Sequence, residues 1–147
     1  MFEKYISEPT LILDAKKCIK NIQFMSEKAA KNGLIFRPHF KTHQSRAVGK
    51  WFEQYGVEKI TVSSIKMAEY FANDNWKDIT VAFPVNIREI DRINDLAEEI
   101  QLNLTIENTE AVKFLKKNLI FPVHFFIKID TGYHRTGVKA DELQFIN

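Results

Sequence analysis

At 147 residues, 45% hydrophobic and 27% charged, the chain has the length and apolar content of one ordinary globular domain, which argues against disorder. Its 21 basic and 19 acidic residues are interspersed rather than blocked. The net charge of +2 therefore leaves no electrostatic footprint for nucleic acid or an anionic membrane, and a small molecule is the expected partner.

The N-terminus, with Glu3, Lys4 and Glu8 around short apolar stretches, lacks the basic-then-apolar layout of a signal peptide, and no apolar run approaches membrane-spanning length. A soluble cytoplasmic protein is expected. An opening strand is predicted at about Thr10–Leu13. Asp14 then caps a helix whose positions Cys18, Ile22, Met25 and Ala29 recur at helical spacing, and Gly33 stops it. Cys18, the single cysteine, excludes an internal disulfide and a cysteine-rich metal site, reads as a small hydrophobe and fits a reducing compartment. Further strands are predicted at roughly Leu34–Lys41, Lys59–Ser63, Asp78–Phe83, Leu102–Glu107 and Val123–Asp130, each pair separated by a helical segment of crossover length. The helix after Lys41 carries Val48, Trp51, Phe52 and Tyr55 before Gly56. The one after Phe83 opens on Asn86 and Glu89 in capping-box spacing and continues with the stripe Ile90, Ile93, Ala97 and Ile100.

Alternation along these strands separates two faces of different kind. Ile60 and Val62; Ile79, Val81 and Phe83; Leu102, Leu104 and Ile106; and Val123, Phe125, Ile127 and Ile129 form an apolar face. Thr61 and Ser63; Thr80 and Ala82; Asn103, Thr105 and Glu107; and His124, Phe126, Lys128 and Asp130 form a mostly polar one. Parallel strands covered by helices on both sides read as continuous apolar runs, so this pattern says that helices cover one face only. A (β/α)8 TIM-type barrel meets that demand, with helices outside and polar groups pointing inward; a half-solvated open sheet is the alternative. A full barrel needs eight strands and roughly 250 residues. Residues 1–147 are accordingly expected to supply the N-terminal portion of one, about five parallel strands, truncated at the C-terminus.

Within Arg37-Pro38-His39-Phe40-Lys41-Thr42-His43, alternation places Arg37, His39 and Lys41 on one face and Phe36, Pro38 and Phe40 on the helix-packing face. Two cations and an imidazole then point inward together, which is costly without counter-charges or a ligand. Crowding by Arg37 would favour a neutral Lys41 amine able to attack a carbonyl, as a Schiff-base lysine must. Alternatively, Arg37 and Lys41 form salt bridges with Glu107 or Asp130, and His39 fills the core. The position of Lys41 at the C-terminal end of a strand favours the first reading, because barrel active sites assemble at that rim. Thr42, His43, Ser63 and Ser64 are further candidates for the pocket lining, or else loop caps.

The segment Arg37 to His43 resembles the cofactor-lysine motif of the D-threonine aldolase and D-serine dehydratase-like family, fold-type III pyridoxal-phosphate enzymes of the alanine racemase N-terminal-domain superfamily. The likeness extends from Glu8-Pro9-Thr10-Leu11-Ile12-Leu13-Asp14 through Ile79-Thr80-Val81-Ala82-Phe83-Pro84-Val85 to Lys128-Ile129-Asp130-Thr131-Gly132-Tyr133-His134-Arg135-Thr136-Gly137, in family order. The last block is shared more widely with alanine-racemase-like barrels. The resemblance implies that Lys41 forms the Schiff base with pyridoxal 5'-phosphate, that His39 and Arg37 lie beside the cofactor, and that Arg135 contacts the ring's phenolic oxygen or its surroundings. Gly132 and Gly137 would permit close backbone approach in the loop carrying Arg135.

The same resemblance implies a lyase acting on a D-amino acid, by breaking Cα–Cβ as an aldolase or Cα–H as a dehydratase, in a full-length parent that is commonly a homodimer. This stretch alone is expected to be inactive. The competing functions are an amino-acid racemase of the alanine racemase type and a non-catalytic pyridoxal-phosphate-binding protein. His39, His43, His124 and His134 form no zinc-type set, so no metal ligand is assigned. Related aldolases and dehydratases use a divalent metal held by residues nearer their C-termini, which leaves metal dependence open.

Overall fold

In the computed structural model, which describes residues 3–10, 12–139 and 141, the chain winds four parallel strands into one sheet. They are β1 (Lys59–Val62), β2 (Asp78–Pro84), β3 (Gln101–Ile106) and β4 (His124–Ile127), each paired with its neighbour in chain order. The helices α3 (Ile65–Ala72), α4 (Ile90–Glu99) and α5 (Thr109–Asn118) connect them, and α1 (Ala15–Lys31) and α2 (Arg46–Glu53) precede them. Helix starts follow from capping chemistry: Asp14, Ser45, Ser64 and Asn108 each accept a backbone N–H from the first turn of α1, α2, α3 and α5. Past the end of α1, Gly33 sits at φ 63°, in the left-handed region that ends helices cheaply at glycine. Asn86 instead caps a 3-10 turn at Ile87–Glu89 that leads into α4. Glu89 does not close a capping box; it binds Arg92 at 2.7 Å, and Arg92 also binds Glu69 of α3 at 2.6 Å.

The apolar strand face is the core. Ile60, Val62, Ile79, Val81, Leu102 and Leu104 are buried, and Ala68, Phe71, Ile93, Leu96 and Ala97 of α3 and α4 join them in one cluster. Burying a side chain of this size contributes about 1.5–3 kcal/mol, so this stripe decides which face of the sheet the helices cover. The α/β barrel portion expected from the alternating pattern is thus present.

Several local expectations differ. The strand predicted over Leu34–Lys41 shrinks to one bridge, His39 to Thr61, reinforced by the Thr61 N–H donating to the Pro38 carbonyl at 2.8 Å. Pro38 has no N–H for the ladder, and the His39 ring accepts the Lys41 N–H at 3.3 Å, drawing the chain into a 3-10 turn at Phe40–Thr42. The bridged segment still occupies the fifth position beside β1. Thr10, Ile12 and Leu13 form no strand, and Leu11 lies outside the described residues.

Val123–Asp130 is not one strand. Lys128 donates its N–H to Ile106 and accepts from Val138, so β4 ends at Ile127, and Ile129–Asp130 (β5) pairs instead with Val138–Lys139 (β6). Phe125, Phe126 and Ile127 remain 42%, 52% and 45% exposed, so β4 is a bare edge among the described residues, without the helix packing expected for Phe125 and Ile127. Phe83 is exposed because the β2–β3 register shifts between Val81 and Pro84, which breaks the alternation at the strand's end.

Candidate active site

Strand register stacks the inward-facing residues in rows. The row nearest the N-terminal ends is Lys59, Asp78 and Gln101, aligned across β1, β2 and β3. Asp78 accepts from Arg37 at 2.6 Å, Asn103 and Gln101 at 2.8 Å, and Lys59 at 3.0 Å. Burial pushes the Asp78 carboxyl upward, but the hydrogen bonds from Arg37, Lys59 and Asn103 outweigh it and hold it below the usual carboxylate range. Arg37 is therefore engaged at the end of the sheet opposite the catalytic rim of a barrel. Its counter-charge is Asp78, not the Glu107 or Asp130 weighed from sequence, and with its charge matched there it is not the cation that would crowd Lys41.

The next row is Thr61, Thr80 and Asn103, flanked by His39 on one side and His124 on the other. Thr80 is 6% exposed, and its hydroxyl has no hydrogen-bond partner among the described residues.

At the C-terminal rim the chain turns at Phe40. This side chain is fully buried, with Phe71, Trp76 and Phe52 ring centroids at 4.9, 5.0 and 5.1 Å. The anchor inside leaves the next residue outside: Lys41 is exposed, and among the described residues its amine forms neither an ion pair nor a hydrogen bond. His39 lies beside it. Burial first, then the Lys41 charge, lower the His39 pKa, against an opposing hydrogen bond with the Thr61 backbone. Because its Nδ1 accepts the Lys41 backbone N–H, the neutral ring carries its proton on Nε2. His43, by contrast, turns into the core between Phe40, Phe52 and Phe71 while its Nδ1 accepts the Ser45 N–H at 3.1 Å, and burial lowers its pKa. Ser64 serves as the α3 cap.

The second candidate element is the loop between β5 and β6. Asp130 accepts the N–H groups of Gly132 and His134 at 3.0 Å each and meets the His134 ring at 3.2 Å, and those bonds hold its carboxyl low. The Gly137 N–H donates to Glu107 at 2.7 Å. Both carboxylates shape the loop rather than neutralise Arg37 or Lys41. Arg135 lies over the ring of Tyr133, 5.4 Å from its centroid, within this loop. The structure thus brings His39 and Lys41 together, sends Arg37 to the opposite end, and puts Arg135 on a separate constrained loop.

An accessible primary amine at a strand's C-terminal end, a neutral imidazole beside it and an unpaired buried hydroxyl in the adjoining row suit an aldehyde-bearing aromatic cofactor. Asp78, Asn103 and Thr80 were not singled out from sequence. Lys59, Asp78 and Gln101 open their strands on the inward face, a layer signal that register makes plain.

The model of the alanine racemase N-terminal domain matches residues 13–146. The chain belongs to that family. Among curated relatives of this alanine racemase N-terminal-domain protein, D-serine dehydratase of Dictyostelium discoideum is 35% identical over 143 residues, covering 86% of this chain and 35% of that protein. The 3-hydroxy-D-aspartate aldolase of Paracoccus denitrificans is 30% identical over 150 residues, covering 97% and 38%. The solved D-threonine aldolase from Filomicrobium marinum superposes with a TM-score of 0.86 over 95% of this chain and 40% of that one, at 18% identity, a likeness of fold. The chain thus spans a little over a third of the length of the curated relatives it matches.

Proposed function

We propose that the chain is the cofactor-lysine portion of a pyridoxal-phosphate-dependent lyase acting on β-hydroxy D-amino acids, with Lys41 as the residue that holds the cofactor. The observation that carries this is the exposed Lys41 amine, unpartnered among the described residues and held at the C-terminal rim by the buried Phe40 anchor beside a neutral His39. The curated relatives support the substrate class, since serine and 3-hydroxyaspartate both carry a hydroxyl on Cβ.

When bound, pyridoxal phosphate supplies an electron sink for the bond to Cα that breaks, Cα–H in a dehydratase or Cα–Cβ in an aldolase. Lys41 Nζ would hold the aldehyde and, once the substrate's amine has displaced it, would be free as a base, for the proton at Cα in a dehydratase. His39, its ring bonded to the Thr61 backbone, would stand beside it, and Arg135 would contact the cofactor's phenolic oxygen or its surroundings. Arg37, bonded to Asp78, acts at a distance from the cofactor rather than on it. Among the described residues no cluster of three His, Cys, Asp or Glu side chains could hold a metal, so a divalent ion for the β-hydroxyl would draw on other residues. The reading carries with it a homodimeric, cytoplasmic full-length protein and no turnover by these 147 residues alone.

Borohydride reduction of the full-length protein with its cofactor, followed by peptide mapping, tests the assignment. The reduced adduct is expected on Lys41 and is expected to vanish in Lys41→Ala; an adduct on another lysine would overturn the reading. Loss of D-serine or D-threonine marks the lyase, whereas interconversion of enantiomers would mark a racemase and binding without turnover a carrier.

A further inference from the structure

We infer that Asp78 is a positioning residue for Lys41, acting through Arg37 from the opposite end of the sheet. The inference rests on the reading of Lys41 as the cofactor lysine, but its geometry stands without it.

The segment that delivers Lys41 is poorly tied to the sheet by its backbone. β1, β2 and β3 pair over runs of residues, whereas among the described residues this segment has only the bridge between His39 and Thr61, which includes the bond from the Thr61 N–H to Pro38. Pro38 contributes no donor. A β segment held so loosely is free to slip, and a slip of one residue would turn Lys41 to the helix side. A slip of two would keep the face but move the amine roughly 6.6 Å along the strand.

Side chains hold the register on both faces. On the helix side Phe40 is locked among Phe52, Phe71 and Trp76. On the inward side Arg37 Nη1 reaches the Asp78 carboxylate at 2.6 Å and the carbonyls of Ile60 and Asp78 at 3.4 Å each, so one nitrogen straddles the starts of β1 and β2. The carboxylate cannot follow a sliding arginine, because Asn103, Gln101 and Lys59 bind it from β3 and β1. Asp78 therefore fixes the height of Arg37, and Arg37, four residues before Lys41, fixes where the amine emerges. A guanidinium–carboxylate pair suits this task because its directional hydrogen bond fixes position as well as charge.

Lys59 is the control. It binds the same carboxylate at 3.0 Å but belongs to β1, so losing it weakens the network without loosening the Lys41 segment. In the full-length protein without cofactor, amide exchange at Thr61 reports the bridge, and exchange at Val81 and Leu104 reports the β2–β3 and β3–β4 ladders in turn. Arg37→Met and Asp78→Asn are expected to speed Thr61 exchange by about tenfold or more relative to Val81 and Leu104, a change equivalent to ~1.4 kcal/mol. Lys59→Met should leave that ratio unchanged. With cofactor added, Arg37→Met and Asp78→Asn should weaken its binding, read from its visible absorbance, while Lys59→Met binds it as the parent does.

Equal acceleration at all three amides, or matching behaviour of Arg37→Met and Lys59→Met, would reduce Asp78 to a stabilising residue and overturn the inference. If Asp78→Asn fails to fold, the comparison of Arg37→Met with Lys59→Met decides alone. Because the exchange measurement needs no cofactor, failure of the cofactor assignment would appear separately, in the borohydride adduct.

Discussion

Replacing each of two glycines in the Arg135 loop by alanine separates backbone strain from steric clash. Gly132 and Gly137 have nearly the same backbone angle, φ 117° and 118°, so a side chain is strained at either. That shared cost is about 1–3 kcal/mol. Their surroundings differ. A Cβ on Gly132 meets nothing within 4 Å, whereas one on Gly137 would lie 2.8 Å from the Asp130 nitrogen, 3.0 Å from the Ile129 carbonyl carbon and 3.1 Å from the Lys128 oxygen. These are backbone atoms of Lys128 and of the paired β5 strand, so no rotamer change relieves the overlap. Overpacking of this kind adds about 1–3 kcal/mol. The total is capped by the free energy of opening the loop locally, because a chain that cannot hold the turn releases it rather than unfold. Gly137→Ala should therefore break the 2.7 Å bond from its N–H to Glu107 and the 2.8 Å bond from Val138 to Lys128, with a smaller effect on global melting. Amide exchange at residues 137 and 138 provides the assay. Gly137→Ala is expected to accelerate both well beyond Gly132→Ala; equal acceleration by the two would refute the steric argument.

Lys41→Met should leave the denaturant midpoint within experimental reach of the parent, about 0.5 kcal/mol or less, because the amine has no partner among the described residues to lose, while abolishing the reduced adduct. Phe40→Ala, one residue away, should cost about 3–5 kcal/mol in the same urea titration, since it empties the centre of the aromatic cluster. Acid sensitivity has a definite sign. Burial lowers the pKa of both His39 and His43 in the folded chain, so below about pH 6.5 the unfolded chain binds protons that the folded one refuses, and stability falls until the folded-state values are passed. A urea midpoint that drops between about pH 7 and pH 5, and drops less in His43→Phe, is the expected result. A flat profile would contradict it. Asp78, held low by its partners, acts in a different window: its contribution persists above the ordinary carboxylate range and is lost only as pH falls through its depressed value.

Much of the architecture could be read in the sequence because it follows from periodicity and capping. The Asp14 cap, the stripe in α4 and the apolar faces of β1, β2 and β3 are local patterns, and burial of Ile60, Ile79, Leu102 and Leu104 enforces them. The motif around Lys41 was legible for the same reason, since alternation assigns Phe40 to the core and Lys41 away from it. Prediction failed where partners distant in sequence decide. Arg37 could not be paired by inspection, because Asp78 lies 41 residues away and becomes its neighbour only through strand register. His39 and His43 look alike in the motif, yet one lies beside the Lys41 turn and the other is enclosed by aromatic rings from α2 and α3.

The sequence by itself determined the βα order, the side of the sheet that helices cover and the division of Phe40 to the core from Lys41 away from it, because side-chain alternation and hydrophobic burial act residue by residue along the chain. Only the tertiary structure decided that the strand before Lys41 ends at His39, that Asp78 claims Arg37, and that Glu107 and Asp130 brace a loop. Those outcomes depend on which polar groups meet across strands, where each buried donor or acceptor must find a partner, and the number of candidate partners exceeds what local pattern can rank.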